Sequence, residues 1–77
     1  MLQAIEVTFN NNCTKAYWID KNIDGYVCKT QFFWNSGIAN TIKCHNTYNH
    51  LLKAITSLNK MINADIKEYG TKKIEVY

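Results

Sequence analysis

The chain has no proline, no arginine and only three glycines, Gly25, Gly37 and Gly70, in 77 residues. Without proline, and with so few glycines, little interrupts the backbone, so long regular elements are expected. The absence of arginine removes the bidentate fork that usually reads guanine or clamps phosphate. Any contact with nucleic acid would then be carried by lysine, be sequence-tolerant and weaken with salt. No apolar run approaches the ~20 residues that span a bilayer, so no membrane partner is expected. The opening Met1-Leu2-Gln3-Ala4-Ile5-Glu6 has no positive flank and does not read as a secretory signal. Three cysteines, Cys13, Cys28 and Cys44, make an odd set without a Cys-x-x-Cys pair. That set reads as reduced thiols of a cytoplasmic protein rather than a disulfide framework, with the thiols as small core residues.

What is present is a hydrophobic fraction of 47% against 19% charged residues, which describes a packed globule and not a disordered chain. At this length the chain forms one domain, 1–77, with a core small enough that a partner or a second copy could complete it. Nine lysines give a formal charge of +3, which assists encounter with RNA or an acidic protein surface and equally serves solubility.

Periodicity predicts an α+β fold: an antiparallel three-stranded meander, one long amphipathic helix and a final strand. Leu2–Phe9 alternates with Ile5, Val7 and Phe9 on one face and Glu6 and Thr8 on the other. Asn10-Asn11-Asn12 is a turn, and Thr14–Asp20 a second strand. Asn22-Ile23-Asp24-Gly25 carries the Asp-Gly hairpin signal, and Tyr26–Trp34 is a third strand. Ile38–Cys44 either extends that strand or folds back as a short extra one. Asn46 reads as an N-cap. The helix after it has an apolar stripe of Tyr48, Leu51, Leu52, Ile55, Leu58 and Ile62, and Gly70 ends it directly or after a loop from Asn63. Lys72–Tyr77 is the last strand, with Ile74 and Val76 expected to face the core.

Catalytic patterns are sparse. Cys44 and His45 are adjacent, which on a strand turns their side chains to opposite faces. Cys44, His45 and His50 lack the paired spacing and fourth ligand of a zinc site. The six acids sit at turns, outer strand faces and the helix end, where solvation accounts for them, and no Gly-rich loop precedes the helix to hold phosphate. Neither enzyme, metal nor cofactor is therefore expected. Aromatics are the richest signal, because Tyr17, Trp18, Tyr26, Phe32, Phe33 and Trp34 place rings on both faces of the sheet. One face packs the helix, so rings on the other are left as an interface or a stacking platform.

The element order resembles the first half of the ribonuclease H fold. Ile5-Glu6-Val7-Thr8-Phe9 leads into Asn10-Asn11-Asn12-Cys13 where that family has a strand ending Thr-Asp-Gly-Ser. Asn46 through Leu58 is similar to its first helix, with an Asn followed by Leu-x-x-Ala-Ile-x-x-Leu and His50 standing at the usual Glu. Ile74-Glu75-Val76-Tyr77 matches the fourth strand short of its Asp. The resemblance implies a member lacking the carboxylates that hold Mg²⁺ ions, and hence no hydrolysis. It also implies a truncated sheet whose last strand is a free edge, open to a homodimer or to strand addition by a partner. In composition, a very small Asn-, Ile- and Lys-rich chain without proline resembles phage accessory proteins, including those that neutralise host defence nucleases or toxins.

These readings converge on an inhibitor or adaptor that docks on a host protein, with sequence-tolerant RNA binding as the alternative. The binding residues expected are Trp18, Phe33 and Trp34, with Lys53 and Lys60 on the helix and Lys72 and Lys73 before the last strand.

Overall fold

In the computed structural model, which describes all 77 residues, five strands form one antiparallel sheet crossed by a single helix. The elements are β1 (Leu2–Phe9), β2 (Thr14–Asn22), β3 (Gly25–Phe33), β4 (Lys43–Tyr48), α1 (Leu51–Tyr69) and β5 (Thr71–Val76). The sheet order is β4-β3-β2-β1-β5, so β4 and β5 are its two edges.

The meander is the one that alternation predicts. The β2–β3 hairpin closes on Asn22 opposite Gly25, with the Asn22 Oδ1 accepting the Asp24 N–H at 2.9 Å. Gly25 holds φ +132°, and a Cβ there would collide with the Tyr48 carbonyl, so the turn needs glycine twice over.

Beyond the meander the structure decides three points: two alternatives that the sequence leaves open, the first with a correction to the helix cap, and the phase of the helix. First, the chain after β3 folds back as a separate strand. Lys43–Tyr48 pairs with β3 from Thr30↔Lys43 to Tyr26↔Tyr48. Asn46 is consumed by this ladder and caps nothing. The helix starts at Leu51 behind His50, whose side chain makes no capping bond. Second, the helix runs unbroken through Asn63 to Tyr69, where the Gly70 N–H returns to the Ile66 carbonyl at 2.8 Å. Third, the buried stripe is Ala54, Leu58 and Ile62, joined by Leu51, Ile55, Met61 and Ile66. This phase turns Leu52 to solvent at 76% exposure, and Tyr48 belongs to β4.

The core lies between α1 and one sheet face: Val7 and Phe9 from β1, Tyr17 and Ile19 from β2, and Cys28 from β3. Polar groups in the middle of that face are paired, whereas the buried Thr71 Oγ1, opposite Phe9 at the β5 edge, has no partner. The Tyr17 hydroxyl donates to Asp65 Oδ2 at 2.6 Å, and Lys15 Nζ reaches the same oxygen at 2.8 Å. The buried Thr30 hydroxyl meets His45 Nε2 at 2.9 Å, and the Cys28 thiol donates to the Ala54 carbonyl at 3.3 Å. Burial raises the pKa of the Cys28 thiol against an opposing bond from Ser57, so it behaves as a core residue. All three cysteines are free, but Cys44 is exposed on β4.

α1 packs on β1 to β4 and stops short of β5. Ile74 and Val76 sit on the helix side of the sheet, opposite Val7 and Ile5. With no helix above them they remain 49% and 73% exposed, contrary to the expectation that they enter the core.

Candidate docking face

The strand alternation that buries Val7 and Tyr17 sends their neighbours to the opposite face, which no helix covers. There Ala16 lies between Glu6 and Gln31 in one row across the sheet, and Trp18 stands beside Lys29 in the next. Met1, Ala4, Ala16, Trp18, Ile42 and Tyr77 line a groove of about 500 Å³ on this face, with Glu6 and Gln31 as its polar members. The two alanines on its floor leave the space that larger side chains would fill.

A second cleft, of about 310 Å³, adjoins the first and is lined by Phe33, Trp34, Asn12, Thr14 and again Glu6. Glu6 thus borders both hollows. Its carboxylate makes no ion pair and no side-chain hydrogen bond, and no lysine lines either hollow. The neighbouring acid is different: Glu75 is held by Lys73 at 2.7 Å and by the Tyr77 hydroxyl at 2.9 Å, contacts that lower its pKa.

The expected aromatic residues divide. Trp18 is not an exposed ring, being only 7% accessible. Its indole N–H donates to Asp20 Oδ2 at 3.2 Å, and Asp20 also pairs with Lys29 at 3.0 Å. Burial opposes ionisation of Asp20, but the bonds from Lys29 and Trp18 outweigh it and lower the pKa. The segment after β3 reaches the same groove through Ile42. Trp34 donates its N–H to the Ile38 carbonyl and Asn40 to that of Phe32, both at 2.8 Å, which folds the loop back towards Ile42 at the groove wall. Trp18 is therefore a wall of the groove rather than a free platform. Phe33 is half-buried. Trp34 is 49% exposed, packs edge-on to Phe32 at 4.8 Å between ring centres, and donates to Asn40 Oδ1 at 3.3 Å.

The expected lysines do not converge. Lys53 and Lys60 share a shallow groove of about 410 Å³ with Tyr48, Leu52, Thr56 and Ser57, at the β4 side of the helix. Lys72 and Lys73 lie on the opposite edge, four strands away or about 19 Å. There Lys72 is bonded to Asn12 Oδ1 at 2.7 Å and Lys73 to Glu75.

Asn10 and His50, where the ribonuclease H resemblance puts carboxylates, do not meet either. His50 precedes the first turn of α1, whereas Asn10 packs against Gly70 after its last turn, where a Cβ would strike the Asn10 amide. A 19-residue helix, about 28 Å long, separates them. No group of three or more His, Cys, Asp or Glu side chains comes together anywhere in the chain.

The residues that sequence reasoning missed are Glu6, Ala16, Ile42 and Tyr77. Glu6 was visible as an outer-face acid on an alternating strand, but an acid there ordinarily means only solvation. No helix is long and apolar enough to cross a membrane. No family model, curated protein or solved structure matches the chain.

Proposed function

We propose that this chain is a non-catalytic binding protein, an inhibitor or adaptor that docks on another protein through the helix-free face of its sheet. The observation that carries this reading is Glu6: an unpaired carboxylate shared by two hollows whose walls are Trp18, Tyr77, Phe33 and Trp34. Such a surface suits a partner that presents an apolar side chain next to a lysine or arginine. It disfavours a phosphate backbone, because the one charged side chain lining the hollows is an acid and the Met1 ammonium at the rim is taken up by Asp20 at 3.7 Å. The compositional likeness to phage accessory proteins makes a host defence nuclease or toxin the class of partner to try first.

RNA binding is the weaker reading. It draws on Lys53 and Lys60 alone, since Lys72 and Lys73 lie across the sheet and are already bonded. Trp18, at 7% exposure, offers little ring face for a base to stack on.

The test is a pull-down from the native host with the wild-type chain, Glu6→Lys, Ala16→Trp and the Lys53→Glu/Lys60→Glu pair. Docking through the open face requires one protein partner that survives added salt and is lost with Glu6→Lys and Ala16→Trp but retained by the lysine pair. Capture of nucleic acid that falls with salt and with the lysine pair would replace this reading with the RNA one.

A further inference from the structure

We infer that β5 is a homodimerisation edge, pairing antiparallel with β5 of a second copy about a two-fold axis at Ile74. The argument starts from which backbone groups are free. The Tyr77 N–H donates to the Ala4 carbonyl at 2.8 Å. Hydrogen-bonded and non-bonded positions alternate along an antiparallel ladder, so Glu75 and Lys73 also turn towards β1. Ile74 and Val76 therefore turn their N–H and C=O groups outward, and β5 is the last strand of the sheet. An edge of this kind is a template for another strand.

Charge selects both the occupant and the register. With the axis at Ile74, each Ile74 exchanges both backbone bonds with Ile74 of the second copy, and Val76 faces Lys72. Lys73 then stands opposite Glu75 of the second copy, and Glu75 opposite its Lys73, at the closely spaced non-bonded positions. A shift of two residues in one direction sets Lys73 against Lys73, and in the other Glu75 against Glu75. Only the central register is self-complementary. The other edge offers no such match, because β4 (Lys43–Tyr48) contains no acid. The half-exposed Ile74 gains an apolar neighbour in its own copy. The two-fold axis runs perpendicular to the joined ten-stranded sheet, so both helices fall on one side and both docking faces on the other.

This inference is separate from the docking reading: it uses the backbone of an edge, not the hollows around Glu6, and either can fail alone. Sedimentation equilibrium on the full chain across the micromolar range should give a mass that rises towards twice the monomer. Lys73→Glu and Glu75→Lys, each shown by circular dichroism to remain folded, should weaken association roughly tenfold or more. An equimolar mixture of these two variants should recover it, since every cross-pair is then a lysine opposite a glutamate. The lysine–glutamate contact within one strand cannot produce that recovery. A strict monomer at several hundred micromolar, single variants that associate like the wild type, or a mixture that stays monomeric would overturn the inference.

Discussion

The two faces of the sheet differ in how their polar and apolar groups are resolved. Directly beneath the helix the large side chains are enclosed and the polar groups between them have partners: Tyr17 and Lys15 share Asp65, Thr30 holds His45, and Cys28 reaches the Ala54 carbonyl. On the open face small residues, Ala4 and Ala16, lie beside the large Trp18 and Tyr77, and Glu6 makes no ion pair and no side-chain hydrogen bond. The first arrangement is that of a core, where each group answers to another in the same chain. The second leaves space and charge unanswered, as a surface shaped for something outside it does. Stability should therefore reside on one side of the sheet and recognition on the other.

The largest effect that would separate the faces comes from a pair of substitutions. Leu58→Ala opens a cavity beneath the helix, where Leu58 is fully buried, and should cost about 2–5 kcal/mol. A domain this small has a total stability of only about 5 kcal/mol, so this variant is expected to be largely unfolded. Ala16→Trp, on the open face, should change stability by no more than about 0.5 kcal/mol, as surface substitutions usually do. Urea titrations of both variants measure the contrast. If Ala16→Trp is as damaging as Leu58→Ala, the open face is part of the core and the distinction collapses.

Tyr17→Phe should act next. Burial, then the hydrogen bond to Asp65, pushes the Tyr17 phenol far above its ordinary pKa, so it stays a neutral donor. Its removal leaves Asp65 with Lys15 alone and should cost about 1–3 kcal/mol, the usual result of orphaning a shielded acceptor. The hydroxyl sits where α1 meets β2, so hydrogen exchange should quicken in the last turns of the helix before it does in β1. Unchanged stability would mean that water replaces the hydroxyl and that this side of the sheet is wetter than its packing implies.

How much of this was legible follows from how local each cause is. The β2–β3 hairpin could be read because Asp24-Gly25 dictates the turn within four residues, and β1 because Ile5, Val7 and Phe9 alternate. β4 could not, since Lys43 to Tyr48 has almost no apolar alternation and exists because β3 offers a ladder; Asn46 then reads naturally as a cap. The helix is visible in the sequence but its phase is not: Leu52 looks like a core residue and Ala54 does not, yet α1 comes close enough to β3 there for the Cys28 thiol to reach the Ala54 carbonyl at 3.3 Å, which suits a small side chain. Trp18 reads as a bare ring yet is 7% accessible, because alternation tells which face a ring takes and not how deeply it is set there. The lysines failed for a related reason. Position in sequence says nothing of sheet order, and the order puts β4 and β5 at opposite edges.

The smallest effect concerns pH and again divides the two faces. Burial lowers the pKa of His45, and Lys43 and Lys15 lower it further, while Asp65 pulls the other way. The folded chain thus accepts a proton on His45 at lower pH than the unfolded chain does, whose imidazole titrates near 6.5. The stability that this residue contributes is complete above that value and is lost as pH falls from it towards the folded pKa. Asp20, the partner of Trp18 on the open face, has a lowered pKa, so its contribution is lost only at still lower pH, below the ordinary carboxylate range near 4. Urea midpoints should therefore decline in two stages on acidification, the first set by the helix face and the second by the open face. His45→Gln should flatten the first stage and leave the second, and Asp20→Asn should do the reverse. Should histidine resonances in the folded protein place His45 at or above 6.5, the first stage would have to come from another group, and the Thr30–His45 contact would not be the closed, neutral pair that the core geometry requires.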